Sequence, residues 1–64
     1  MTNNNTQGKT MNEIAVIVAE RVDGIDSEFV IELTIINQLK FDGVSVTQKN
    51  IDKIRGIMFD MASN

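Results

Sequence analysis

Carboxylates crowd the stretch around position 25. Asp23, Asp26 and Glu28 lie close together, and Glu32 follows. Clustered carboxylates are the donor set that a hard cation such as calcium takes. The spacing is not that of an EF-hand loop, and short turns use aspartate for backbone reasons. No metal site is expected. Glu28 and Glu32 have the residue types of an acid–base pair, but nothing in the sequence supplies a cleft or a perturbing partner. A nucleophile would have to be Ser27, Thr34 or Ser45, and the chain has no histidine to act as its base. No catalytic residue and no cofactor follow from these residue types, so the chain reads as a non-enzyme.

Basic residues suggest a different chemistry. Lys40, Lys49, Lys53 and Arg55 give the second half of the chain positive charge. A small sheet with a helix can lie in a DNA groove, so this set defines a nucleic-acid-binding alternative. The net charge of −3 weighs against it, because phosphate binding needs clustered cations without competing carboxylates.

The elements that would position these groups come from periodicity. Ile25–Phe41 alternates: Ile25, Phe29, Ile31, Leu33, Ile35, Leu39 and Phe41 share one parity, and Asp26, Glu28, Glu32, Gln38 and Lys40 the other. Period two predicts a strand with one buried face. Residues 10–22 carry two signals. Thr10 and Glu13 have capping-box spacing, which starts a helix. Ile14, Val16, Val18 and Val22 share a parity and are mostly β-branched, which favours a strand. Asp23-Gly24 weighs toward the strand, since Asp-Gly between apolar runs marks a type I′ hairpin turn. That turn aligns Val18 with Phe29, Ile14 with Leu33, Arg21 with Asp26 and Ile17 with Val30. Asp42-Gly43 repeats the signal and aligns Leu39 with Val46. The long central strand should bend near Ile36-Asn37. After Thr47, a good N-cap, Ile51, Ile54, Ile57, Met58 and Met61 fall on one side of a helical wheel, predicting an amphipathic helix over 48–62.

The expected fold is therefore α+β: a three-stranded antiparallel β-meander with two Asp-Gly hairpins, followed by one helix on one sheet face. Residues 1–9, MTNNNTQGK, read as a disordered polar tail, and residues 10–64 as a single small domain.

A domain of 64 residues has a marginal core and usually needs a staple or a partner. There is no cysteine, which suits a reducing compartment. No apolar run approaches a membrane span and no signal-peptide pattern opens the chain, so a cytoplasmic protein is expected. Ile17, Val30 and Ile36 fall on the parity that should be wet, forming an apolar ridge beside Glu28 and Glu32. The leading expectation is a small acidic protein-interaction module, an inhibitor or adaptor, binding another protein or itself as a homodimer. Its contacts would be Ile17, Val30, Ile36, Glu28 and Glu32.

A third reading comes from a resemblance. Gly24-Ile25-Asp26-Ser27, followed by Glu32-Leu33 and Phe41-Asp42, resembles acyl carrier proteins over about a third of the chain. In that family the serine of an Asp-Ser pair carries phosphopantetheine at the start of a helix. The resemblance implies that Ser27 is the attachment site and that 27–41 is helical. Glu28 stands where the family usually has leucine, and the family's long first loop is missing.

Overall fold

A computed structural model describes residues 9–63. They form helices α1 (Met11–Arg21), α2 (Glu28–Phe41) and α3 (Gln48–Ser63). Among the described residues there is no strand. The β-meander, its hairpins and the α+β class are thus replaced by an all-α fold. The tail expected over 1–9 falls on residues 1–8, outside the described ones, and on Lys9.

Each helix is started by a side chain. In α1 the capping box forms: the Thr10 hydroxyl accepts from the Glu13 amide at 3.1 Å, and the Thr10 amide donates to Glu13 Oε1 at 2.8 Å. This reciprocal pairing satisfies two otherwise orphaned donors, and it outweighs the β-branched content of the segment. Ser27 caps α2, accepting from the Val30 amide at 3.3 Å. The Thr47 hydroxyl accepts from the Asn50 amide at 3.1 Å, as expected for the start of α3.

The Asp-Gly pairs end helices instead of turning hairpins. Gly24 and Gly43 do have positive φ, +81° and +72°. After α2, the Gly43 amide bonds Lys40 O at 3.1 Å and the Val44 amide bonds Leu39 O at 2.9 Å. These two bonds are the Schellman pattern, which needs a left-handed residue at the position glycine fills. Val44 packs against the core beside Leu39, the apolar contact that accompanies the motif. After α1, the Ile25 amide closes onto Val22 O at 2.8 Å. The same backbone demand, positive φ after an apolar segment, serves both kinds of turn.

The alternation along Ile25–Phe41 arises because α2 has two apolar stripes. Ile31, Ile35 and Leu39 face the core, Phe29 and Leu33 lie exposed on the far side, and Ile36 stands between the two, packed against the core and lining the outer groove. Apolar residues on opposite sides of a helix erase the 3.6-residue period and leave a false period of two. The helix passes through Ile36-Asn37 without a break.

The core consists of Ile14, Ala15, Val18, Val22, Ile35, Leu39, Ile51 and Ile54. Val16, Phe29, Leu33, Phe41, Val46 and Met61, which the strand reading would bury, are exposed. Ion pairs set the arrangement. Lys9, just before α1, meets Asp42, just after α2, at 3.2 Å, so these helices run antiparallel. Arg55 in α3 reaches Glu28 and Glu32 at the start of α2. The C-terminal halves of α1 and α3 therefore lie side by side, at the end of the bundle where α2 begins. Among the described residues no helix is long and apolar enough to cross a membrane.

Candidate functional site

Ser27 stands at the head of α2, between the left-handed Gly24 and the first helical turn. Its backbone is extended, at φ −72° and ψ 116°, which lifts the residue out of the helix axis and leaves it exposed. Ile25 and Asp26 before it are also exposed. Its carbonyl accepts the Ile31 amide at 3.0 Å and its hydroxyl holds the Val30 amide. The amides of Glu28 and Phe29, in the first turn, have no acceptor further back in the helix. A helix start of this kind favours an anion, through these donors and the positive end of the dipole.

The chemistry open to this serine is narrow. The chain has no histidine, and the Ser27 hydroxyl is engaged by the Val30 amide. An exposed hydroxyl at a helix start is instead suited to receive a group. A phosphate ester on Ser27 would place its negative charge at the N-terminus of α2, where the dipole stabilises it.

An apolar strip begins beside Ser27. Glu28, Phe29, Glu32, Leu33 and Ile36 line a shallow groove of about 220 Å³ on the outer side of α2. Phe29 is 75% exposed, far more than a packing residue would be. Three of the contacts expected for an interaction module, Glu28, Glu32 and Ile36, come together here. Val30 lies on the same helix, 38% exposed, while Ile17 is half-buried on α1. The cross-strand pairing of Ile17 with Val30 has no counterpart, because the two belong to different helices. Phe29 and Leu33 are the members of this strip that the strand reading missed. Spacing of i, i+4 and i+7 from Phe29 to Ile36 was the signal for them.

Charges from the two sequence-based sites meet each other. One Arg55 guanidinium nitrogen pairs with Glu28 Oε1 and the other with Glu32 Oε1, the latter at 3.1 Å. Arg55 belongs to the basic set and the glutamates to the acidic set, so the one cation is shared by two carboxylates across the α2–α3 contact. Both carboxylates are well exposed, so the pairs contribute little to stability and mainly orient the side chains. Lys49 and Lys53 lie one turn apart on the exposed side of α3, and Lys40 is exposed in the last turn of α2. Lys40 belongs to α2 and the other three cations to α3, where Arg55 is engaged by Glu28 and Glu32.

At the opposite end of α2, Asp42 accepts from Gln38 Nε2 at 2.8 Å and from Lys9 at 3.2 Å. The Gln38 hydrogen bond, helped by Lys9 and opposed by desolvation, holds its carboxyl below the usual aspartate range. Its side chain is only 6% exposed, yet it lies at the rim of the bundle, so the shift is structural in origin. Among the described residues no group of three or more metal-ligating side chains occurs.

Comparison of the chain with protein-family models, with curated proteins and with solved structures found no match.

Proposed function

We propose that this chain is a small carrier-like interaction protein, with Ser27 as the attachment point for a phosphopantetheine arm. The observation that carries the reading is the exposed Ser27 at the N-cap of α2, directly after Asp26. The resemblance to acyl carrier proteins requires a helix from this serine onward, and α2 supplies it. The arm supplies a thiol to which an acyl group is joined as a thioester. The chain's own residues have simpler tasks. The first-turn amides of α2 and its dipole stabilise the phosphodiester, and Gly24 frees the preceding loop to present the serine. Phe29, Leu33 and Ile36, flanked by Glu28 and Glu32, form the surface that partner enzymes contact. The protein itself catalyses nothing in this reading.

Intact mass spectrometry tests it. The protein is incubated with coenzyme A and a phosphopantetheinyl transferase of broad specificity. The wild type should gain one phosphopantetheinyl group, and Ser27→Ala should gain none. An unmodified wild type, beside a carrier protein that is fully modified in the same reaction, would overturn the proposal.

A second reading, an unmodified adaptor or inhibitor that binds another protein or itself, is favoured by the exposed Phe29 and Leu33. Its self-associating form would be a homodimer through the outer side of α2, with Val30 at its edge. Light scattering at high micromolar concentration distinguishes it. A dimer that Val30→Lys weakens supports it, and a monomer of 7.1 kDa at every concentration removes the dimer. A nucleic-acid reading gains nothing from the geometry, because Arg55 is engaged by Glu28 and Glu32.

A further inference from the structure

We propose that the groove between the C-terminal halves of α1 and α3 docks a basic amphipathic helix of a partner protein. The groove is open along one side and has a volume of about 540 Å³. Its floor is apolar, made chiefly by Val16, Ala19, Met58 and Met61, and its rim is acidic, made by Glu20 and Asp23. Val16 and Met61 are 43% and 37% exposed, so the floor is only partly covered by the bundle itself. Methionine pairs of this kind adapt to differing apolar side chains.

Charge selects the occupant. The groove lies beside the C-terminal turns of α1 and α3, where the negative ends of their helix dipoles lie. The last turn of α3 carries no basic residue to offset its dipole, and Asp60 adds exposed negative charge nearby on that helix. Arg21, in the last turn of α1, is the neighbouring cation, and it lies outside the lining. A cationic rim on the partner therefore complements the site.

Shape selects a helix. Two helices lying side by side present a trough that a third helix fills by setting its side chains between theirs. A small molecule would remain largely exposed in so open a groove. A second copy of this chain would bring its own Glu20 and Asp23 against these, with like charges facing across the contact. An anionic membrane surface is repelled by the same residues. Residues 1–8 of this chain, MTNNNTQG, offer only Met1 as an apolar side chain and no cation in their side chains. The site is separate from Ser27 and does not depend on its modification.

Fluorescence anisotropy with labelled synthetic helices tests the proposal on the full chain. The probe is an amphipathic peptide with leucines along one face and lysines on its flanks. Controls are a glutamate-flanked peptide of the same leucine pattern and a scrambled lysine peptide. The lysine-flanked helix should bind in the micromolar range, and both controls at least tenfold more weakly. Val16→Glu or Met61→Glu should weaken binding on the order of tenfold, since each places a charge in the apolar floor. The double variant Glu20→Lys, Asp23→Lys should favour the glutamate-flanked peptide. Asp52→Lys, an equal charge change per residue on the exposed side of α3, should leave binding within about twofold. Equal binding of the amphipathic and scrambled lysine peptides, or equal losses from Asp52→Lys and the rim variants, would overturn the groove as the site. Absence of binding at millimolar peptide would overturn it outright. Circular dichroism of each variant confirms that the helices persist, so that lost binding is read at the groove.

Discussion

Helices α2 and α3 both pack against α1, yet they spend their apolar side chains differently. α3 buries Ile51 and Ile54 and presents Lys49, Asp52, Lys53 and Asp60 to water. Its large exposed aromatic, Phe59, stands near its C-terminal end. α2 buries Ile35 and Leu39, and then carries exposed Phe29 and Leu33 on its outer side, with Ile36 bridging from them to the core. One stripe is what a helix needs for packing. Under the proposed function, the apolar surface beside the exposed serine is the part of α2 that a partner would contact. The two helices therefore divide their apolar surface differently. α3 exposes apolar side chains chiefly toward its C-terminal end, and α2 exposes Phe29 and Leu33 beside its N-terminal end.

This division is broken or sharpened most strongly by truncations on α2 itself. Leu39 is fully buried, and Leu39→Ala should cost about 2–5 kcal/mol. Phe29→Ala on the same helix should change stability by no more than about 0.5 kcal/mol. Urea denaturation of the two variants gives the contrast directly. Comparable losses would mean that the outer stripe is part of the core after all, and the displayed role of α2 would be lost with it.

The next effect separates the end of α2 from the interior of α3. Gly43 sits at φ +72° in the Schellman turn, a backbone region that L-residues adopt at a cost of about 1–2 kcal/mol. Gly43→Val should therefore destabilise by at least that amount, since a β-branched side chain resists the region further. Gly24→Val, at φ +81°, should behave in the same way and also disturb the loop that presents Ser27. An unchanged melting temperature in either variant would show that the helix ends are not held as described.

These glycines also show what could be read from the sequence. The need for positive φ at Gly24 and Gly43 was legible; the kind of turn was not, because a helix stop and a hairpin use the same Asp-Gly pair. α3 was legible in full, from the Thr47 cap and a single apolar stripe. α1 announced itself through Thr10 and Glu13, but its β-branched residues and a matching hairpin register outweighed that local signal. α2 was hidden by its own composition: apolar side chains on the outer face, Phe29 and Leu33, cancelled the helical period. Ser27 was visible in the Asp-Ser pair, and its weight depended on the helix that the alternation concealed. Among the core residues, Ile14, Val18, Leu39, Ile51 and Ile54 fall on the apolar face under either reading. Ile35 shares the buried parity of the strand reading as well, whereas Ala15 enters the core only once α1 is a helix.

A pH-dependent effect distinguishes the two ends of α2. Asp42 has a carboxyl pKa depressed mainly by the Gln38 hydrogen bond. A depressed carboxylate contributes stability that is fully present above the unfolded value, about 4. That contribution is lost as pH falls through the lower folded value. Asp42→Asn should therefore melt at a lower temperature than wild type near neutral pH, with the gap closing below about pH 4. Thermal melts across pH 3–7 check the sign. A gap that persists undiminished at the acid end would assign the effect to shape, not to the carboxylate charge.

The smallest expected effect lies in α3 and has the opposite sign. Gly56 occupies the interior of the helix on its exposed side, and a Cβ built there meets nothing within 4 Å. Glycine in such a position is about 1 kcal/mol less favourable than alanine, because the unfolded chain loses more freedom on folding. Gly56→Ala should therefore stabilise the protein by about 0.5–1 kcal/mol. For a domain of this size, that corresponds to a rise of roughly 2–8 °C in melting temperature. The substitution touches no side chain of the Ser27 site, so modification of Ser27 should proceed unchanged in the same variant. A rise in stability without loss of modification would show that the interior of α3 bears on stability and not on the Ser27 site. A fall in stability would mean that the glycine relieves a constraint that the packing of α3 imposes, and the contrast between the two helices would need that constraint added.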